Sequence, residues 1–293
     1  MLTHDELIDE RNHSIVVSNR LIQNSYFDLN MIPLKTLLYC ISKIEKNDAP
    51  DKVYSISIRD LCQVCNMKIK GTNAYKGRGG VVYKAMRELR AKHLDLYDEQ
   101  GRAFNTGWFS KVKMENDNDT VYYTFDSDLM PYLFNLTKEM GGFTISVMEI
   151  VCALETPQGI RLYLFLRSIA SLGRNQRIYL DTIRERTGNA GKYDLYADVR
   201  RFILNPAIDD INKYSDIEVS YTIAPKEGKK VVALDFTITT KKYLDDETIQ
   251  QRRHNRNIAL YGWKNPNRHF VLEKKTTRRY RNPYRKPKNP NPL

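Results

Sequence analysis

The sequence predicts an α+β fold made of two similar halves, and three observations lead to this conclusion. Each half contains a long amphipathic helix, a short alternating strand, a second helix, a glycine-containing turn, a third helix and two alternating strands. Residues 56–61 align with residues 178–183 at an offset of 122, and Leu89 and Ile211, which end the third helices, align at the same offset. This order is that of a winged helix, so we predict two tandem winged-helix units (helix-turn-helix plus β-hairpin wing) related by internal duplication.

Hydrophobic spacing and capping residues locate the elements of the first half. Apolar side chains recur at helical spacing from Met31 to Ile44, and residues 53–58 alternate and are rich in β-formers. Ser57 and Asp60 have the spacing of a capping box, which opens the next helix. The predicted elements are a strand edge or short helix at 15–24, a helix at 30–46, a strand at 53–58, a helix through Leu61 and Val64, a basic turn at 68–80, a helix at 81–92, strands at 94–97, 108–114 and 121–125, and a helix at 127–137.

The second half repeats this order after Gly141 and Gly142, which mark the boundary between the halves. Its predicted elements are helices at 146–154 and 157–172, a strand at 177–180, a helix capped by Asp181, a turn at 188–193, a helix at 194–213, and a hairpin of strands 217–224 and 231–239. Pro206 is expected to bend the long helix. The inward side of that helix is predicted to consist of Leu195, Val199, Phe202 and Ile203.

The chain is expected to divide into four segments. These are a flexible N-terminus at 1–14, a first winged-helix unit at 15–140, a second unit at 141–245, and a tail at 246–293. The formal net charge is +12, but residues 251–293 hold thirteen of the 47 Lys and Arg and one of the 35 Asp and Glu, so the rest is formally neutral. Because proline and like charge disfavour a packed core, the tail is predicted to be disordered. It would act as a nonspecific DNA tether, with Tyr280 and Tyr284 able to stack, or else as a solubilising segment.

Composition also indicates the cellular compartment of the protein. No apolar run approaches the roughly 20 residues that span a bilayer, and the acidic start of the chain lacks the apolar region of a signal peptide. Four cysteines in 293 residues suggest reduced thiols. We therefore expect a cytoplasmic protein that does not bind a membrane.

The third helix of each half is the predicted DNA-reading element, because this helix of a helix-turn-helix fits the major groove of B-DNA. In both helices one side is apolar and the other carries basic and hydrogen-bonding residues, of which Arg suits guanine edges and Asn suits adenine. For any single charged residue, a solvated helix face is the alternative. The candidate DNA-binding residues are Lys76, Arg78, Tyr83, Lys84 and Arg87 in the first half and Lys192, Tyr193, Tyr196, Arg200, Arg201 and Asn205 in the second.

The two predicted wings carry opposite charge. The first has an acidic tip, which would repel phosphate, and the second has a basic tip, which would attract it. The acidic residues are Glu115, Asp117 and Asp119, and the basic residues are Lys226, Lys229 and Lys230. The second unit is therefore predicted to be the main DNA reader. The first unit would contact DNA through its helix alone or serve mainly in protein–protein contact.

Motifs for metal or catalytic chemistry are weak. Cys62 and Cys65 form a C-x-x-C pair, but a zinc site needs a second pair of ligands, so buried thiols are predicted. The five His residues are scattered, which disfavours a metal-dependent nicking enzyme, and residues 71–80 lack the Lys-Ser/Thr of a phosphate-binding loop. We therefore expect no enzyme activity, no cofactor and no metal.

Several segments between Ile15 and Lys242 carry a family resemblance. They include VVSNRLIQNSYFDLNMIPLKTLLYCISKI, YSISIRDLCQVC, GIRLYLFLRSIASLG, residues 178–222 and GKKVVALDFTI. These resemble the replication initiators of iteron-containing, theta-replicating plasmids. The most specific stretch is FILNPAIDDIN, where the family has Leu-x-x-Ala-x-x-Glu-Ile-Asn and Asp210 replaces the usual Glu.

The resemblance implies a bacterial protein whose winged helices bind directly repeated double-stranded DNA sites at a plasmid origin as a monomer and help to open the duplex. It also implies a dimer, formed through the first unit, that represses its own promoter, and it implies the host initiator and replicative helicase as later partners. The basic tail is not part of the family pattern. Two other hypotheses stay open, namely a transcriptional repressor without a replication role and a nickase or relaxase.

Overall fold

The computed structural model describes residues 2–24, 28–45, 48–49, 51–65, 67, 79–97, 100–136, 141–225, 228 and 230–241. The elements of the first half are α1 (His4–Asn12), β1 (Ser14–Ser18), α2 (Asn19–Asn24), α3 (Met31–Ile41), β2 (Tyr54–Ser57), α4 (Ile58–Val64), α5 (Val81–Ala91), β3 (His93–Tyr97), β4 (Ala103–Gly107), β5 (Phe109–Met114), β6 (Thr120–Phe125) and α6 (Met130–Leu133). The elements of the second half are β7 (Phe143–Val147), α7 (Met148–Ala153), α8 (Pro157–Ile169), β8 (Asn175–Tyr179), α9 (Leu180–Arg186), α10 (Tyr196–Val199), a π-helical segment (Arg200–Leu204), α11 (Asn205–Tyr214), β9 (Ile217–Ile223) and β10 (Ala233–Thr240).

Both halves have the same sheet topology. In the first half the three strands lie in the order β2-β6-β5, and in the second they lie in the order β8-β10-β9. The short strand before the helix-turn-helix thus pairs with the last strand of the hairpin in each case. Helices α4 and α9 begin at Ile58 and Leu180, which keeps the offset of 122. The predicted fold class, mixed α and β with two winged-helix units, is confirmed.

The strands that open the two halves join them. Strands β1 and β7 pair antiparallel, with Ser14 opposite Val147, Val16 opposite Ile145 and Ser18 opposite Phe143. Each of these strands leads directly into a short helix, α2 or α7. Equivalent elements of the two halves therefore meet about a local pseudo-twofold axis near Val16 and Ile145, and buried residues of both halves belong to one hydrophobic cluster.

The start of the chain differs from the expectation of a flexible segment at 1–14. Residues 4–12 form α1, which opens with a capping box between Thr3 and Glu6. Leu7 is buried, and the buried Arg11 donates from Nε to the carbonyl oxygen of Val64 over 3.2 Å. The sequence pattern did not predict α1, because the helix is polar and has no apolar stripe, and it contacts the rest of the chain partly through hydrogen bonds of Glu10 and Arg11 and an ion pair of Glu10.

Several predicted element bounds were also wrong. Strand β4 was not predicted, and Ser146 lies in β7 rather than in a helix. The predicted helix at 127–137 is a 3-10 turn, Ser127–Leu129, followed by the short α6. A short apolar run is compatible with helix or strand, and here pairing with β1, which is distant in sequence, decides the strand.

The four cysteines are free thiols. Cys40, Cys65 and Cys152 are buried and Cys62 is half-buried, and burial together with the charge of Asp119 raises the pKa of Cys62 to about 12. The thiol of Cys62 is therefore protonated at neutral pH and a poor nucleophile. In the part of the chain that the structure describes, no helix is long and apolar enough to cross a bilayer.

Candidate nucleic-acid interface

In the first unit, the helix in the reading position is a regular α-helix. Helix α5 buries one side, and its opposite side is exposed at Lys84 and Arg87. The buried residues are Val82, Ala85, Met86 and Leu89, as predicted. Tyr83 is half-buried and packs against the core, so it presents less surface to a ligand than the two cations do. The candidates Lys76 and Arg78 lie outside the described residues.

In the second unit, the corresponding helix changes its winding. Helix α10 has a single turn, the next five residues are π-helical, and α11 comes directly after them. The N–H of Asn205 bonds to the carbonyl of Arg200, five residues back. Pro206 has no N–H to give to the carbonyl of Phe202, and its ring would clash with that carbonyl in an α-helix. The wider turn accommodates the proline.

The π segment corrects the predicted inward side of this helix. Val199 and Ile203 are fully buried, as expected, but Phe202 is 44% exposed and Leu195 is 67% exposed. A π turn inserts one extra residue, so the residues before it are out of phase with the residues after it. The residues buried along the helix are Val199, Ile203, Leu204, Ala207, Ile208, Asp210, Ile211 and Tyr214.

The turn before α10 is held in a defined shape. Tyr193 has a φ of +62°, a left-handed conformation that is uncommon for a bulky side chain. Arg184 of α9 donates from Nε and Nη2 to the Tyr193 carbonyl over 3.1 and 2.9 Å, and from Nη2 to the Asp194 carbonyl over 3.2 Å. A buried guanidinium from α8 supports the other end of the turn, because Arg161 donates to the Thr187 carbonyl over 2.7 Å.

The structure brings the predicted residues of the second unit to one helix and its preceding turn. Lys192, Arg200, Arg201 and Asn205 are exposed, whereas Tyr193 and Tyr196 are half-buried. Within the described residues, no carboxylate forms an ion pair with Arg200 or Arg201. Two cations and an amide are thus available to a ligand on the exposed side of the reading helix.

Tyr196 has a structural partner. Its side chain hydrogen-bonds that of Tyr221 on β9, and burial together with this hydrogen bond raises the pKa of Tyr221 to about 12. The pair ties the start of the reading helix to the wing strand. The phenol of Tyr221 therefore stays neutral at physiological pH, and the pair helps to position the helix.

An aromatic cluster beside the arginines was not predicted as part of the site. The rings of Tyr193 and Phe202 stack with centroids 5.2 Å apart and an interplanar angle of 22°. The guanidinium carbon of Arg201 lies 5.1 Å from the centroid of the Phe202 ring. Pro206, four residues after Phe202, was the available sequence signal, since a proline inside a helix disturbs the turn that precedes it.

The structure describes the whole tip of the first wing but only part of the tip of the second. At the second tip Lys230 is exposed, while Lys226 and Lys229 lie outside the described residues. At the first tip the carboxylate of Asp119 accepts from Ser57 Oγ over 2.8 Å and from the N–H of Arg59 over 3.2 Å. Asp117 accepts from the N–H of Asp119 and from both the N–H and the hydroxyl of Thr120, and the bonds from Thr120 and Asp119 lower its pKa. These acids therefore stabilise the turn and the start of α4.

The chain matches two family models over most of its length. Residues 14–167 match the model described as "Initiator Replication protein, WH1", and residues 179–238 match "Initiator Rep protein, WH2". The chain belongs to the initiator replication protein family. As a member of this family, the protein is a DNA-binding replication initiator that acts without catalysis.

A solved structure has the same fold. The crystal structure of Pi initiator protein in complex with iteron DNA superposes with a TM-score of 0.62 at 19% sequence identity, covering 80% of this chain and 99% of that chain. At this identity the likeness concerns the fold. Comparison with curated proteins gives no match.

The most specific stretch of the family resemblance, FILNPAIDDIN, has a structural role. Asp210 is buried, and its carboxylate accepts from the N–H groups of Glu155 and Thr156, over 2.6 and 3.3 Å, at the start of α8. Asn212 exchanges two hydrogen bonds with the backbone of Val219 on β9, at 2.8 and 2.7 Å. These side chains fix α11 against α8 and the wing, which aims the exposed side of the reading helix outward.

Proposed function

We propose that the protein initiates plasmid replication by binding directly repeated double-stranded DNA sites, or iterons, at an origin and by helping to open the duplex. The observation that carries this proposal is the exposed Arg200, Arg201 and Asn205 on the reading helix of the second winged-helix unit. Membership of the initiator family gives the biological context, and the fold-level relative is described in complex with iteron DNA.

The residues of the second unit have distinct proposed roles. Arg200 and Arg201 would meet guanine edges and Asn205 an adenine edge, since these side chains match the major-groove patterns of those bases. Lys192, in the turn before the helix, and the wing residues Lys226, Lys229 and Lys230 would contact phosphates. Tyr193 and Tyr196 would hold the turn and helix in place, with Tyr193 also able to touch the DNA.

The first unit has a supporting role in this proposal. Its exposed Lys84 and Arg87, with Lys76 and Arg78 shortly before the helix in sequence, would add DNA contacts of lower specificity. The same unit would form the contact of a dimer that represses the promoter of its own gene. Monomers bound to the repeats would then engage the host initiator and the replicative helicase.

The test is footprinting of the full chain on DNA that flanks its gene and on the plasmid origin. Protection of tandem direct repeats, with no covalent adduct on supercoiled DNA in the presence of Mg²⁺, is the expected result. Protection of a lone inverted repeat at the promoter would support the alternative, a transcriptional repressor without a replication role. Equal affinity for the origin and for scrambled DNA would overturn both.

The tail from residue 251 is proposed as a nonspecific tether, on the strength of its charge. Its removal is expected to lower affinity for every sequence alike and to flatten the dependence of affinity on salt, because fewer counterions are released on binding. The measurement is fluorescence anisotropy with specific and scrambled duplexes at several salt concentrations. If only specific binding fell, the segment would have a different role.

A further inference from the structure

The reading surface of the second unit combines cations with an exposed apolar ring. Phe202 keeps 44% of its surface exposed, whereas the next residue, Ile203, is fully buried. It lies between Arg201 and Ile203 in sequence, on the π-helical segment that turns it outward. Exposure of a large apolar side chain within a basic surface points to a ligand that is both anionic and locally apolar.

The ring is held in place before any ligand arrives. Tyr193 stacks on it, and the backbone of Tyr193 is kept in its left-handed conformation by the hydrogen bonds from Arg184. Such a conformation is strained in a non-glycine residue and persists where the surroundings enforce it, commonly at binding sites. The π turn is a second departure from regular geometry at the same point, and π turns are frequent at functional sites.

Duplex DNA offers a matching apolar group. In the major groove the 5-methyl group of thymine is the apolar feature that base pairs present, and apolar side chains on reading helices contact it. Arg201, beside the ring at 5.1 Å, would meet a neighbouring base edge or phosphate at the same time. Duplex DNA fits this arrangement, because the thymine methyl group can meet the ring of Phe202 while the acceptors of a neighbouring base or phosphate meet the guanidinium of Arg201.

We propose that Phe202 contacts the 5-methyl group of a thymine in the bound repeat, so that this unit reads one base by apolar contact as well as by its arginines. This inference rests on the proposed binding of repeated duplex sites. It adds a specificity-determining residue that the charged and hydrogen-bonding side chains alone would not provide.

The experiment replaces each thymine of one footprinted repeat, one at a time, with deoxyuridine, which lacks only the methyl group. Full-length protein and the Phe202→Ala variant are titrated with each duplex. For the unaltered protein, one replacement is expected to weaken binding about fourfold, the effect of exposing one methyl-sized group. In the Phe202→Ala variant that penalty should disappear, because the methyl group no longer has a partner.

Two further variants serve as controls. Phe202→Leu keeps an apolar side chain and should retain most of the penalty, which guards against a folding defect in Phe202→Ala. Leu195→Ala removes another exposed apolar side chain from the end of the same turn and should leave the penalty intact. A penalty that survives in Phe202→Ala, or that vanishes in Leu195→Ala instead, would overturn the assignment to Phe202.

The outcome separates this inference from the proposed function. If the unaltered protein binds the repeat specifically but no thymine replacement changes its affinity, the methyl contact is wrong and the initiator proposal stands. If the unaltered protein does not distinguish the repeat from scrambled DNA, the proposed function fails first.

Discussion

The two winged-helix units share a topology but differ in the helix that occupies the reading position. Helix α5 of the first unit is regular, and its apolar residues recur at the spacing that the sequence predicts. The helix of the second unit contains a π segment that exposes Phe202 and adds an aromatic cluster to the basic side. Two units with the same topology therefore present different surfaces, because the extra residue in the π turn of the second unit changes which side chains face outward.

The units also differ in how they are supported. Helix α1 packs on the first unit through Glu10, which contacts Lys43, and through Arg11, which reaches the Val64 carbonyl. The reading helix of the second unit is fixed by Asp210, which accepts from the start of α8. The first unit is thus supported in part by the helix at the start of the chain, while the reading helix of the second unit is anchored by residues of its own half.

The largest expected effect tests which unit reads DNA. Arg200→Ala and Arg201→Ala should each weaken specific binding by about 1–3 kcal/mol if the side chain reaches a base. The paired change Lys84→Ala with Arg87→Ala should cost less and should do so for all sequences, as expected for phosphate contacts. Fluorescence anisotropy with the repeat and with a scrambled duplex measures both.

Lys213→Ala provides the matched control, since it removes an exposed cation from the far end of the same helix region and should change affinity little. Unchanged affinity in both arginine variants would show that the second reading helix has been misplaced. A larger loss from the first-unit pair than from either arginine would reverse the comparison of the units.

The next effect concerns the anchor of the second reading helix. Asp210→Ala should lower the free energy of unfolding by about 2 kcal/mol, because the N–H groups of Glu155 and Thr156 lose their acceptor in a buried setting. Asp209→Ala changes the exposed neighbour and should stay within about 0.5 kcal/mol of the unaltered protein. Urea unfolding gives both values, and equal losses in the two variants would contradict the anchoring role.

The pH dependence of stability tests the contact that Glu10 of α1 makes with the first unit. Burial alone would raise the pKa of Glu10, but interactions with His13 and Lys43 and a hydrogen bond from Tyr39 outweigh it and lower the pKa to about 2. The unfolded chain, with an ordinary value of 4.5, therefore takes up this proton first as the pH falls. The contribution of Glu10 to stability is complete above that value and is lost between pH 4.5 and about 2.

Glu10→Gln should accordingly be less stable than the unaltered protein by about 1–2 kcal/mol at neutral pH, after allowance for solvent screening. The difference should shrink as the pH falls through that window. Thermal unfolding of both proteins across the pH range measures it, and a difference that grows as the pH falls from 4.5 to about 2 would mean that Glu10 does not hold α1 as a carboxylate.

The smallest effect concerns the acidic tip of the first wing. Asp119→Ala should lower the free energy of unfolding by about 1 kcal/mol, because the N–H of Arg59 at the start of α4 loses its cap. Its affinity for DNA should stay the same if the tip stays away from the duplex. Glu115→Ala is the control for charge at the same tip, and a rise in affinity in either variant would show that these acids repel phosphate.

Much of the site could be predicted from the sequence where the cause is local. The buried side of α5 follows from helical spacing, and Ser57, whose Oγ accepts from the N–H of Asp60, marks the start of α4. The exposed positions of Arg200, Arg201 and Asn205 were also predicted, since a charged side chain on a helix turns toward solvent. The prediction failed for the neighbour of these residues, Phe202, because spacing assumes an unbroken α-helix.

By itself, the sequence determined the order of helix, strand, helix, turn, helix and hairpin shared by the two halves, the repeat at an offset of 122, and the residue types that suit a DNA surface. Only the tertiary structure decided that β1 pairs with β7, that Asp210 accepts from the backbone just before α8, and that Phe202 faces outward. The physical reason is the sequence separation over which each interaction acts. Helical periodicity and helix capping involve residues only a few positions apart. Strand pairing and buried carboxylate partners depend on contacts with residues far away in the chain. The phase of the reading helix depends on how the turn before Pro206 winds, which residue spacing alone does not specify.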